Sequence, residues 1–341
     1  MNGYERIWAA LRGKKSDQTP VMLHNFMMAS KEAGISMSAY RENPKTIADV
    51  FIRSVEKYRY DGILVDIDTV TLAGSVGVPV DFPLREPARS ARGCLNQLSE
   101  AGKLPAVNIE NYKYVQIWLE AVRLIKVHFG DEVFVRGNCD QAPFSLASMM
   151  RGTQEWMLDL LMEEPGKIRI LLDYCTGISL QFIRLMAQTG CDMVSNGDSP
   201  AGPEMIPPEM YREYALPYEK LLVQEAHRLG LPYTLHICGN TESILPSMVE
   251  SGADALELDY KTSSLAVFNQ LRDHTCLIGN IDPSGVLALG SAERVRRTTL
   301  ELLEIYQPSN RFILNAGCAI PAETPPDNLK MMIQTAREFK K

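Results

Sequence analysis

Eight short runs rich in valine, isoleucine and leucine recur along the chain with longer helical patterns between them, and this alternation constrains the fold more than any other feature. The runs are PVMLHNF (20–26), GILVDID (62–68), EVFVRGN (132–138), CDMVSNGD (191–198), PYTLHICGN (232–240), ADALELD (253–259), TCLIGNID (275–282) and RFILNAGC (311–318). Stretches such as TIADVFIRSVEKY, YVQIWLEAVRLIKVHF and EMYREYALPYEKLLVQEAHRLG separate them, and several helical patterns close on glycine, a helix stop. That order is what a parallel sheet with helical crossovers needs. Eight strands in 341 residues point to a single α/β domain over 1–341, a (β/α)8 TIM barrel, with a doubly wound sheet as the fallback. The length beyond a minimal barrel is placed in an extra amphipathic N-terminal helix and a long insertion after the second strand, from about Thr69 to Asn108. There Pro79, Pro83, Pro87 and Pro105 interrupt regular structure. An insertion at the carboxyl end of a strand caps a site or shapes an interface.

Composition removes several function classes. Lys and Arg number 35 against 42 Asp and Glu, a net charge of −7, which argues against a partner held by phosphate contacts; no nucleic acid is expected. No run approaches the length of a membrane span, and the N-terminus lacks the apolar core of a secretion signal. The seven scattered cysteines read as thiols of a reducing compartment, so the expected location is the cytoplasm.

Each run ends in polar or reactive residues, and a barrel gathers all eight ends on one face. They include His24 and Asn25, Asp66 and Asp68, Asn138, Asp198, His236 and Cys238, Glu257 and Asp259, Asn280 and Asp282, and Cys318. His236 and Cys238, two apart on one strand, project from the same side of the pleat and carry nitrogen and sulfur donors suited to zinc. Cys318 closes the last run and offers a third donor, and Glu257 a fourth, exchangeable oxygen. Three protein ligands with an open fourth position describe a catalytic rather than a structural zinc. Taken singly, a strand histidine or buried cysteine is also an ordinary core residue, so spacing alone leaves both readings open. Asp66 and Asp68 can serve acid–base chemistry, bind a cation or satisfy loop amides. No dinucleotide, P-loop or zincin motif occurs, and GDSPAG (197–202) misses nucleophile-elbow spacing, which makes Ser199 a loop residue.

These residues lie in blocks that resemble the uroporphyrinogen decarboxylase superfamily, and within it the corrinoid-dependent methyltransferases. The blocks are DGILVDIDT (61–69) with Gly77 downstream, QAPFSLASMM (141–150), GPEMIPPEMYREYALPYEK (202–220), LHICGN (235–240), GNIDP (279–283) and NAGCAIPAETPPDNL (315–329). The resemblance covers nearly the whole chain and implies a TIM barrel, zinc held by His236, Cys238 and Cys318, and methyl transfer to or from a corrinoid. True decarboxylases of the superfamily carry histidine where this chain has Cys318 and tyrosine where it has Met149. Their arginine-rich N-terminal motif has no counterpart in VMLHNFMMASKEAG (21–34). A tetra-acid substrate needs such cations. The corrinoid-binding pattern DxHxxG is also absent, so the corrinoid (cobalamin) is expected on a separate partner protein docked over the barrel mouth.

The expected site therefore has Glu257, Asp66 and Asp68 as catalytic groups, and His24, Asn25, Met149, Asn280 and Asp282 as substrate contacts. Phe26, Met27 and Met28 join Met149 in an apolar, adaptable lining. The expected small-molecule partner is a thiol or a methylated donor such as a methyl ether; a metal-free decarboxylase and a silent zinc- or corrinoid-binding module are the competing readings.

Overall fold

The computed structural model describes residues 1–340. All eight runs contain strands: β1 Met22–Leu23, β2 Gly62–Val65, β3 Phe134–Gln141, β4 Met193–Gly197, β5 Tyr233–Ile237, β6 Ala255–Leu258, β7 Cys276–Ile281 and β8 Phe312–Ala316. They pair in parallel in the order β1 to β8, and a parallel bridge between Val21 and Leu314 brings the first strand back to the last. The result is the expected (β/α)8 barrel. The strands are apolar because both faces are buried, one against the interior and one against the helical ring.

The extra N-terminal helix, Gly3–Leu11, starts on a capping box in which the Asn2 side chain accepts from the Glu5 amide and the Glu5 carboxylate accepts from the Asn2 amide. Its buried face (Ile7, Ala10, Leu11) packs with Met22, Phe134, Met193, Ala255, Cys276, Ile278 and Ile313, which closes the amino-terminal end of the barrel. Along β3, Phe134 belongs to this plug, while Arg136 and Asn138, each two residues further on, line the cavity at the opposite end. Plugging one end leaves the carboxyl ends of the strands as the open mouth.

The insertion after β2 holds a short helix, Thr71–Ser75, a 3-10 turn, Leu98–Lys103, and a single antiparallel bridge between Asp81 and Arg89. Its prolines explain why nothing longer forms. Arg41 ties it down by donating through Nη2 to the Pro83 and Glu86 carbonyls, and Pro87 reaches the mouth cavity. Helix Pro165–Ala187 is long and apolar enough to cross a membrane, yet half of its apolar window is buried within the barrel, as befits a crossover helix.

Candidate metal centre and mouth cavity

His236 points from β5 toward the mouth, and Cys238 follows just past the strand end. The His236 Nδ1 lies 3.0 Å from the Glu257 carbonyl oxygen, which turns Nε2 toward the Cys238 sulfur, also 3.0 Å away. Cys318, just past β8, places its sulfur 3.8 Å from that of Cys238. The three donor atoms lie within 4.8 Å of one another. Nothing in one local segment achieves this: register pairs β5 with β6, and curvature of the sheet brings the end of β8 to the end of β5. Gly317 is required at the last step. A Cβ there would lie 2.6 Å from the Tyr260 amide nitrogen and 3.0 Å from the Asp259 Cα, so only glycine lets the chain pass close to β6 before Cys318.

The electrostatics of the trio favour an anionic sulfur. The hydrogen bond from Cys318, outweighing burial and joined by the charge of His236, pulls the Cys238 thiol far below its usual range and raises that of Cys318 well above it. Burial works against charging His236, but the Cys238 charge and hydrogen bond win and lift it to about 9. Two sulfurs and one imidazole nitrogen at these separations form a donor set able to hold a soft divalent ion.

Glu257 lies next to His236 and outside the donor trio. Its Oε2 accepts from Arg136 Nη2 at 2.8 Å, its Oε1 accepts from Asn315 Nδ2 at 2.8 Å, and the nearest His236 nitrogen is 3.7 Å from the carboxylate. Burial opposes ionisation, and the charges of Arg136, His236 and His24 overcome it, holding the carboxyl down to about 2. The fourth-ligand expectation thus meets a carboxylate whose two oxygens are already engaged.

A cavity of about 280 Å³ opens beside the trio. His24, Phe26, Met27, Asp66, Asp68 and the insertion's Pro87 line it together with Arg136, Asn138, Asp140, Asn196 and Ser199. Asp66 receives His24 Nε2 at 2.7 Å and Asn138 Nδ2 at 3.1 Å. Asp68 Oδ1 accepts the Val70 and Thr71 amides and the Thr71 hydroxyl, and burial raises its carboxyl to about 6.

Four expected substrate contacts lie elsewhere. Asn25 is buried behind β1, where its amide donates to Ser54 Oγ. Asn280 binds the Asp259 and Thr262 carbonyls and accepts from Ser264, tying loops together. Asp282 accepts from the Ser284 and Gly285 amides and starts the following turn. Met149 borders a different, polar groove between residues 90–96 and 148–155. Met28 is buried in the core and does not line the cavity. Asn25, Asn280 and Asp282 lie near strand ends with their side chains turned to the neighbouring loops, whereas Met149 and Met28 lie on helices Pro143–Arg151 and Phe26–Glu32.

A family model described as Uroporphyrinogen decarboxylase (URO-D) matches residues 2–339. This chain belongs to the uroporphyrinogen decarboxylase family. It is 26% identical over 341 residues to the methylcobamide:CoM methyltransferase MtbA of Methanosarcina acetivorans, with 98% of each chain covered. It is equally 26% identical, over 356 residues, to the uroporphyrinogen decarboxylase of Trichodesmium erythraeum, covering 97% of this chain and 94% of that one. Among solved structures, a methyltransferase from Methanosarcina mazei superposes with a TM-score of 0.90 at 21% identity, covering 99% of both chains, which shows the shared fold.

For this member of the family, sequence reasoning passed over several cavity residues. Arg136 is the clearest: from the sequence it stands only as a cation available to a decarboxylase and not as a site residue, yet a charged residue inside the apolar run EVFVRGN is a signal in itself, since an arginine on a doubly buried strand requires a buried partner. Asp140 is a second, held in a left-handed conformation (φ 58°) at the end of β3, with its carboxylate accepting from the Leu72 amide. Ser199, taken as a plain loop residue, lines the cavity and accepts from the Cys238 amide at 3.3 Å.

Proposed function

We propose that this chain transfers a methyl group between a corrinoid carried by a partner protein and a small thiol or methylated substrate, using zinc held by His236, Cys238 and Cys318. The observation that carries the reading is the convergence of one nitrogen and two sulfur donors beside a substrate-sized cavity at the barrel mouth. The name of the Methanosarcina acetivorans relative supports the same chemistry. When bound, zinc supplies Lewis acidity that keeps a substrate thiol ionised at neutral pH or polarises an ether oxygen.

The remaining roles belong to the chain. The Glu257 carbonyl fixes the orientation of His236, and Arg136 with Asn315 fixes Glu257, a supporting shell of the kind metal ligands need. Asp66 holds His24 at 2.7 Å, a carboxylate–imidazole pair suited to taking a proton from a substrate thiol. Phe26 and Met27 give an apolar wall beside the reacting groups. Partner docking is supported by exposed Phe82, Leu84, Met205, Tyr260 and Leu289, on loops that follow β2, β4, β6 and β7 at the mouth end. A reducing cytoplasm would keep Cys238 and Cys318 as thiols.

The decarboxylase reading asks for cations at the mouth. Arg136 is already paired with Glu257, and Arg151 binds Asp159 and the Leu95 carbonyl away from the cavity. The test is an assay of the zinc-loaded chain with methylcobalamin and small thiols, following cobalamin absorbance and thioether formation. Thiol-dependent demethylation that disappears in Cys318→Ser is expected. No transfer with any thiol or methyl ether, in the presence of corrinoid proteins, would overturn the reading.

A further inference from the structure

Arg136 is the single Lys or Arg among the described residues that line the mouth cavity. It belongs to β3 and is only 1% exposed. Its Nη2 donates to Glu257 Oε2 at 2.8 Å, and that same oxygen lies 3.7 Å from His236 Nδ1. One carboxylate thus separates the guanidinium from the donor trio, within reach of a small molecule whose heteroatom sits at the trio.

Most of the guanidinium's donor capacity is unused. Among the described residues, Arg136 Nε and Nη1 have no hydrogen-bond partner although both are buried. Buried N–H donors without acceptors are costly, and in a cavity wall they are complementary to a ligand that brings an oxygen. The neighbouring side-chain oxygens already have donors of their own. Glu257 accepts from Arg136 Nη2 and Asn315 Nδ2 on its two oxygens, Asn138 Oδ1 accepts from the Ser195 hydroxyl at 3.5 Å, and Asn196 Oδ1 accepts from the Tyr233 hydroxyl at 3.0 Å. Glu257 also balances the charge of Arg136. A second anion at Nε and Nη1 would bring a buried negative charge with no cation left to pair it, whereas an uncharged oxygen satisfies the donors and adds no charge.

We propose that Arg136 Nε and Nη1 donate to an uncharged oxygen of the substrate, so that the cavity selects thiols or methylated compounds with an ether, carbonyl or hydroxyl oxygen a few bonds from the heteroatom held at the trio. The inference rests on the methyl-transfer reading for the heteroatom end and on Arg136 for the oxygen end. Arg136 is then a residue that determines specificity as well as one that holds Glu257. A site built to hydrogen-bond a substrate oxygen discriminates strongly against the analogue lacking it, because its buried donors are then left unpaired.

The test uses three small thiols: 2-methoxyethanethiol, whose ether oxygen only accepts, 1-butanethiol, in which a methylene replaces that oxygen, and 3-mercaptopropionate, which is anionic. Binding to the zinc-loaded wild type, its zinc content checked by elemental analysis, is measured by titration calorimetry at neutral pH. The ether is expected to bind at least about tenfold more tightly than 1-butanethiol and more tightly than 3-mercaptopropionate. Arg136→Lys keeps a cation for Glu257 and removes the planar fork of donors. In that variant the ether preference should fall to within about twofold while 1-butanethiol affinity is maintained. Equal or tighter binding of 1-butanethiol or of 3-mercaptopropionate by the wild type, an ether preference that survives in Arg136→Lys, or no binding of any of the three to zinc-replete protein overturns the proposal. If the variant does not fold, the wild-type ranking decides. Methyl transfer is measured separately, so selective binding without turnover would sink the reaction and leave the specificity standing.

Discussion

Arg136 and Glu257, 121 residues apart in sequence, form an ion pair of 2.8 Å whose side chains are each 2% exposed, with the Glu257 carboxylate 3.7 Å from His236 of the trio. Removing one member of a buried pair leaves the other charge without compensation, which typically costs about 3–5 kcal/mol, whereas replacing both is far less damaging. Arg136→Met should therefore lower the urea-unfolding free energy by about that amount. Adding Glu257→Gln should recover more than half of it, since the glutamine oxygen can still accept from Asn315. A double variant no more stable than the single one would show that the pair does not act as a unit.

Gly317 gives a prediction whose mechanism is steric. The added methyl group of Gly317→Ala meets backbone atoms of Asp259 and Tyr260, which cannot swing aside as a side-chain tip could. Overpacking of this kind costs about 1–3 kcal/mol and should also displace the neighbouring Cys318. The comparison is Gly177→Ala, in helix Pro165–Ala187 with nothing near the new Cβ, where a gain approaching about 1 kcal/mol is expected from helix propensity. Thermal unfolding of the two variants should move in opposite directions.

These two sites also show where the sequence is readable. The strands were legible because barrel strands are buried on both faces and read as unbroken apolar runs, and the trio because His236, Cys238 and Cys318 each end such a run. The N-terminal helix was legible from its amphipathic pattern. Side-chain direction was harder. At β1 the chain turns after Leu23 into helix Phe26–Glu32, so His24 reaches the cavity while Asn25 points to Ser54. At β7 the carbonyls of Asp259 and Thr262 capture Asn280, a competition visible only once the loops are placed. Arg136 was hidden for a related reason: its partner is fixed by barrel closure and not by any local spacing.

Asp68 should leave a mark on the pH dependence of stability. Burial raises its carboxyl from 3.8 to about 6, so the folded state holds the proton more tightly than the unfolded chain. Its stabilising contribution is complete below about pH 4 and is lost as pH rises through about 6, a change of at most about 3 kcal/mol. Asp68→Asn removes this titration. Urea unfolding across that interval should therefore give a wild-type minus variant difference that falls with increasing pH, and a difference independent of pH would contradict the assigned burial effect.

The metal prediction follows from the donor geometry and separates the trio from the other cysteines. Wild-type protein purified under reducing conditions and supplied with zinc should contain about one zinc per chain by elemental analysis. Cys238→Ser and Cys318→Ser should each lose most of it, because a serine hydroxyl stays protonated at neutral pH and is a poor zinc donor. Cys94→Ser, at a half-buried position in the insertion, should retain it. Glu257→Gln distinguishes a supporting carboxylate from a ligand. If Glu257 acts only by holding His236 in place, the variant should bind zinc with affinity lowered by about 10–100-fold rather than lose it. Stoichiometric zinc that survives Cys238→Ser, or wild type that binds none, would remove the metal centre and the chemistry built on it.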